Sequence, residues 1–136
     1  MPNVHDKYGK AVVKEALESI GQTNQGQTLV RYGQAKAFID AATNNVAIEI
    51  ESRTPKQVRD ALLDLIHHAA PKKLLILIPA YGGNLMNLLS MCSYILGCHV
   101  ALRDFRIVPV TSNGYDPRLE EDVRLVMEAL KELTTS

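Results

Sequence analysis

The chain has 136 residues, a length suited to one domain built on one hydrophobic core. Its composition, 46% hydrophobic and 22% charged, is that of an ordinary globular protein. Fifteen Lys and Arg balance fifteen Asp and Glu, which excludes a global field favouring nucleic acid or an anionic membrane and leaves any such affinity to a local patch.

The opening "MPNVHDKYGK" is polar and has no apolar signal core, which predicts a cytoplasmic protein. A first helix is expected from about Tyr8 to Ile20, with Val12, Val13, Ala16, Leu17 and Ile20 as its buried stripe and Gly21 as its stop. The loop "QTNQGQ" leads into "TLVRYG", "AKAFIDAAT" and "NVAIEIE", which read as a three-strand meander turning at Thr43-Asn44-Asn45. "TPKQ" then carries a capping box, Thr54 to Gln57, with Pro55 in the first turn. Val58, Ala61, Leu62, Leu65, Ile66 and Ala69 form the stripe of the helix that follows, and Pro71 ends it.

"KLLILIP" is continuously apolar, as in a strand covered on both faces. A helix from Leu85 to Leu96 comes next. Asn87, Ser90 and Ser93 interrupt its apolar run, which is too short to span a bilayer. Met86, Met91 and Tyr94 add apolar surface outside its main stripe, so a homodimer through this helix is expected. "HVAL" and "DFRIVPV" are strand candidates, and Asp116-Pro117 opens a last helix. Helices on both sides of a mixed sheet follow from this order, a three-layer α/β/α domain over residues 1–136.

Val46, Ile48 and Ile50 alternate with Ala47, Glu49 and Glu51, so the two glutamates share one face of a strand. Two like charges ~4 Å apart repel by ~4 kcal/mol at an effective dielectric of 20. Either water screens them on an exposed face, or a cation sits between them. Pairing across the Thr43–Asn45 turn brings Asp40 near Glu49 and Glu51. Three carboxylates in that setting suit a hard divalent ion, Mg²⁺ or Mn²⁺. Arg31, Lys36, Arg53, Lys56 and Arg59 lie close by in sequence, as a binder of phosphate backbone requires or as ordinary surface charge.

"FID" at Phe38–Asp40, a short turn, "AIEIES" at Ala47–Ser52 and then a helix resemble the core of the PD-(D/E)XK nuclease superfamily. The resemblance covers roughly Tyr8 to Ile78. It implies a restriction-endonuclease-like fold and Mg²⁺- or Mn²⁺-dependent hydrolysis of DNA, with Asp40, Glu49 and Glu51 as catalytic metal ligands and Arg31, Lys36, Arg53 and Lys56 on the substrate. Glu51 stands where the family carries Lys, and Lys36, Arg53 and Lys56 are candidates to replace that charge. A further family carboxylate on the first helix has Glu15 as its nearest match, then Glu18. The chain has no evident base-reading domain, so a minimal nuclease core is implied.

Two other readings remain. One is a member of the same fold that binds nucleic acid or protein without cutting. The other is an α/β module holding a phosphate or nucleotide at the Gly82-Gly83 turn, although G-x-G-x-x-G and G-K-[ST] are absent. Cys92 and Cys98 form no CxxC and read as reduced thiols. His67 and His68 diverge by ~100° on a helix and do not converge on one metal. Tyr32 and Tyr81 make no aromatic platform.

Overall fold

A computed structural model describes residues 4–52, 54–79 and 84–135. Six strands and four helices follow in the order α1 (Val4–Ser19), β1 (Thr28–Tyr32), β2 (Ala35–Ile39), β3 (Ala41–Ala42), β4 (Val46–Glu51), α2 (Pro55–His67), β5 (Lys72–Leu77), α3 (Leu85–Gly97), β6 (Phe105–Pro109) and α4 (Leu119–Thr135). The central sheet has the order β3-β4-β5-β6, antiparallel at β3–β4 and parallel from β4 to β6. β1 and β2 pair as a separate antiparallel hairpin, with Arg31 opposite Lys36. This is the expected three-layer α/β/α domain with a mixed sheet.

The layers follow from the side-chain period of two. Ile48, Ile50, Leu74, Ile76 and Val108 meet α1 and α4 on one face. Ala47, Leu75 and Leu77 meet α2 and α3 on the other, where Val30 and Ile39 of the hairpin join them. "LLILI" is buried throughout, as its unbroken apolar run requires.

Three local expectations change. "AKAFIDAAT" is not one strand: it breaks at Asp40, where the chain leaves the hairpin for the central sheet. "HVAL" forms no strand. Val100 closes the α3 terminus by donating its N–H to Leu96 O at 2.7 Å, and a 3-10 turn at Leu102–Asp104 follows. Thr54 is the N-cap of α2 and Pro55 sits in its first turn, but the Thr54 side chain makes no capping bond. Asn84 does the capping work at α3, accepting from Met86 N at 2.8 Å and Asn87 N at 3.2 Å.

Two buried charged side chains tie the ends of elements. Asp122 is fully buried and accepts from Thr111 N (2.7 Å), Thr111 Oγ1 (2.8 Å), Ser112 N (3.1 Å) and the Tyr8 hydroxyl (2.5 Å). It fixes the β6–α4 loop and docks α1 to α4. α4 accordingly starts at Leu119, past the Asp116-Pro117 pair that was expected to open it. Lys73 Nζ donates to His68 O at 2.7 Å and Ala70 O at 2.5 Å, closing the segment after α2. Burial pushes its ammonium down to about 8.

Candidate functional site: the Asp40–Glu49 carboxyl pair

The break at Asp40 puts this residue one step beyond the β3–β4 register, in which Ala41 opposes Ile48, so Asp40 faces Glu49. The two residues then hold each other. Asp40 N donates to Glu49 Oε1 at 2.8 Å, and Ile50 N donates to Asp40 Oδ2 at 2.8 Å. Glu49 is only 7% exposed, so it is not the solvated strand face that alternation with Ile allows. Helices cover both faces of β4, and α2 packs above Glu49.

Burial is the main reason both carboxyls hold their proton above the usual carboxylate range. For Glu49 the neighbouring Asp40 charge adds to it, and Asp64 adds a smaller push. For Asp40 the Ile50 N–H and the charge of Lys10 work in the opposite direction, while Asp6 reinforces the rise. The pair thus lies between two groups, Lys10 with Asp6 on α1 and Tyr32 with Asp64 beyond Glu49. The Tyr32 hydroxyl donates to Asp64 Oδ1 at 2.6 Å, and burial with that bond raises the phenol above its usual value.

Glu51 takes a different position. It ends β4 half-buried, and its Oε1 accepts the N–H of Ser52 at 3.1 Å. Among the described residues no group of three His, Cys, Asp or Glu side chains is placed to hold one ion, so Asp40 and Glu49 come together without Glu51 completing a triad. Two carboxylates suffice in donor chemistry for a hard cation that keeps several waters. The buried hydroxyl of Ser52, next along the chain, has no hydrogen-bond partner among the described residues. An unmet buried group of this kind costs about 1–3 kcal/mol unless a water or ligand meets it.

The expected substrate residues scatter. Arg31 and Lys36 are exposed on the β1–β2 hairpin, and Lys56 is exposed in the first turn of α2. Arg53 and the Gly82-Gly83 turn lie outside the described residues, as does Tyr81. Glu15 lines a groove of about 820 Å³ with Glu120, Glu121 and Arg124 of α4, away from Asp40. His67 stacks at an angle on Tyr32, with ring centres 5.1 Å apart. His68 accepts from Ala70 N at 3.0 Å through Nδ1, which assigns the proton to Nε2 and its 2.8 Å bond to Thr28 Oγ1.

Lys10 is the basic residue that the sequence analysis missed. A pocket of about 300 Å³ beside Asp40 is lined by Lys10, Lys14, Asn24, Gln27 and Ile50 among others. The signal was the spacing of lysines on α1, along the edge of the buried stripe.

No family model matches the chain, and no curated protein is similar to it. Among solved structures, the crystal structure of a protein of unknown function, AF1548, is similar at a TM-score of 0.48 and 14% identity, over 93% of this chain and 67% of that chain. The likeness is too distant to carry a residue's role across. No described helix is long and apolar enough to cross a membrane.

Proposed function

We propose that the Asp40–Glu49 pair is a divalent-cation site and that the chain hydrolyses DNA phosphodiesters as a minimal nuclease of the PD-(D/E)XK kind. One observation carries this reading: the buried Glu49 carboxyl accepts the Asp40 N–H, and the half-buried Asp40 carboxyl lines an open pocket. Carboxyls that burial keeps protonated are the metal-free form expected of groups that hold a cation when ionised. Mg²⁺ or Mn²⁺ bound there would supply Lewis-acid stabilisation of a phosphoryl oxygen. The protein's own part is to fix Asp40 through the Ile50 N–H, to fix Glu49 through the Asp40 N–H, and to exclude water beneath α2. Glu51, two residues on and half-exposed, would accept a proton from the attacking water.

A second reading has an observation of its own. Each carboxyl already accepts a backbone N–H, which also describes a pair that only closes the corner between β2 and β4. In that case the chain binds nucleic acid or protein without cutting.

Calorimetric titration with Mn²⁺ separates the two. The expected result is one ion per chain with proton release, measured in two buffers of different ionisation enthalpy, and no binding by Asp40→Asn. Plasmid cleavage should follow the same pattern. A wild-type chain that takes up no Mn²⁺ ends the nuclease reading.

A further inference from the structure

α1 presents Lys7, Lys10 and Lys14, spaced three and four residues apart and therefore on one face of the helix. All three are exposed, while Gly9, Val12, Val13, Ala16 and Leu17 are buried. At 1.5 Å per residue the row spans about 10 Å. Its far end, Lys10 and Lys14, forms one wall of the pocket beside Asp40.

The opposite wall is fixed rather than loose. Gly26 N donates to Asn24 Oδ1 at 2.8 Å, Gln25 N donates to Ala42 O at 2.8 Å, and Gln25 Nε2 donates to Asn44 Oδ1 at 2.6 Å. Gly26 permits this course because its φ of 72° lies where other residues strain. Asn24 and Gln27 therefore stand at defined places across from the two lysines.

The charges around the pocket sum in one direction. Lys10 and Lys14 line the pocket against the single carboxyl of Asp40, and Lys7 continues their row along α1. A neutral chain thus carries a local positive row that leads to the carboxyl pair. A single small anion needs the pocket alone. A row of cations extending out of it suits a polymer that repeats its negative charge.

We infer that Lys7, Lys10 and Lys14 form a track for the phosphodiester backbone of one polynucleotide strand, with one phosphate seated in the pocket between Lys10, Lys14 and Gln27. The choice of nucleic acid as the polyanion rests on the nuclease reading above. The track itself needs no metal. It also explains how a strand reaches Asp40 and Glu49 although Arg31, Lys36 and Lys56 lie elsewhere.

The test uses a fluorescein-labelled twelve-nucleotide oligo-dT in EDTA, followed by anisotropy over a series of salt concentrations. Wild type should bind. Lys10→Gln and Lys14→Gln should each weaken binding about fivefold at low salt and lower the slope of log K against log salt by ~0.7, the single-strand value for one phosphate contact. Lys131→Gln on α4 should change neither quantity. Glu49→Gln should bind the oligonucleotide as well as wild type, so a loss of cleavage alone leaves the track standing. Four outcomes overturn it: no binding by wild type, a triple Lys7, Lys10, Lys14→Gln variant that binds like wild type, a slope that does not fall, or equal competition by polyglutamate. Far-UV circular dichroism checks that the exposed substitutions keep α1 folded.

Discussion

The burial of the Asp40 and Glu49 carboxyls has a measurable signature. Both groups hold their proton to higher pH when folded than when unfolded. The stability this contributes is complete below the ordinary carboxylate range and is lost as pH rises through the folded-state value. Metal-free protein should therefore lose stability from the ordinary Glu value of 4.5 up to the Glu49 value of about 9, by at most ~1.4 kcal/mol per pH unit for each proton involved. Glu49→Gln keeps the shape and removes one titrating group, so urea denaturation of this variant should show a flatter pH slope. Equal slopes in the two proteins would refute the upward shift of Glu49. Glu51 makes a separate prediction. Glu51→Gln should slow cleavage by about a hundredfold and shift stability within about 0.5 kcal/mol, because the side chain is half-exposed at the end of β4. Glu51→Lys should retain or gain Mg²⁺-dependent cleavage of plasmid DNA. If Glu51→Gln cuts as fast as wild type, Glu51 has no part in the chemistry.

Among the elements, α1 lies closer to β4 than any side chain on residue 9 permits. A Cβ on Gly9 would collide with Ile50 Cγ2, and Ile50 is itself buried at 6% exposure and bonded through its N–H to Asp40. Gly9→Ala gains about 1 kcal/mol of helix propensity, but overpacking costs about 1–3 kcal/mol. The clash should win, since Ile50 is buried and its N–H is tied to Asp40, so it can yield only by disturbing that bond. Thermal melting is expected to fall by a few degrees, and Mn²⁺ affinity should drop as the shift reaches Asp40. A variant as stable as wild type would show that α1 tolerates displacement. The same elements mark what sequence patterns specify. The 3.6 and 2.0 periods located all four helices and the strands of the central sheet, because burial alone sets those patterns. They also placed Asp40 opposite Glu49 through a short turn. They did not reveal the strand break at Asp40, since apolar residues continue through it, nor the burial of Glu49, which depends on α2 packing above it. Asp122 was equally hidden: one acid in the first turn of a helix looks like dipole complementarity, and its four donors come from Tyr8, Thr111 and Ser112, distant in sequence.

For the whole molecule, α3 leaves an apolar face uncovered. Leu88, Cys92 and Leu96 pack inward, but Met86 is 71% exposed and Tyr94 is 74% exposed. A second copy of the chain is the proposed partner for this face. Light scattering should report a dimer, and Tyr94→Lys with Met86→Glu should convert it to a monomer without loss of helix content. A wild-type monomer at high concentration would exclude the dimer. α1 and α4 raise a different matter, that of manufacture. They lie side by side on one face of the sheet and complete a single core cluster together. Roughly 100 residues separate them in sequence, so at ribosomal speeds of 5–20 residues per second α1 is finished about 5–20 seconds before its neighbour exists. By the end of that interval the stripe of Val12, Val13, Ala16 and Leu17 has β4 and β5 to rest on but still no α4, and Tyr8 has no Asp122 to bond. The nascent chain is therefore open along this seam until residues 119–135 emerge, and that delay makes the α1 stripe the surface a chaperone would meet first.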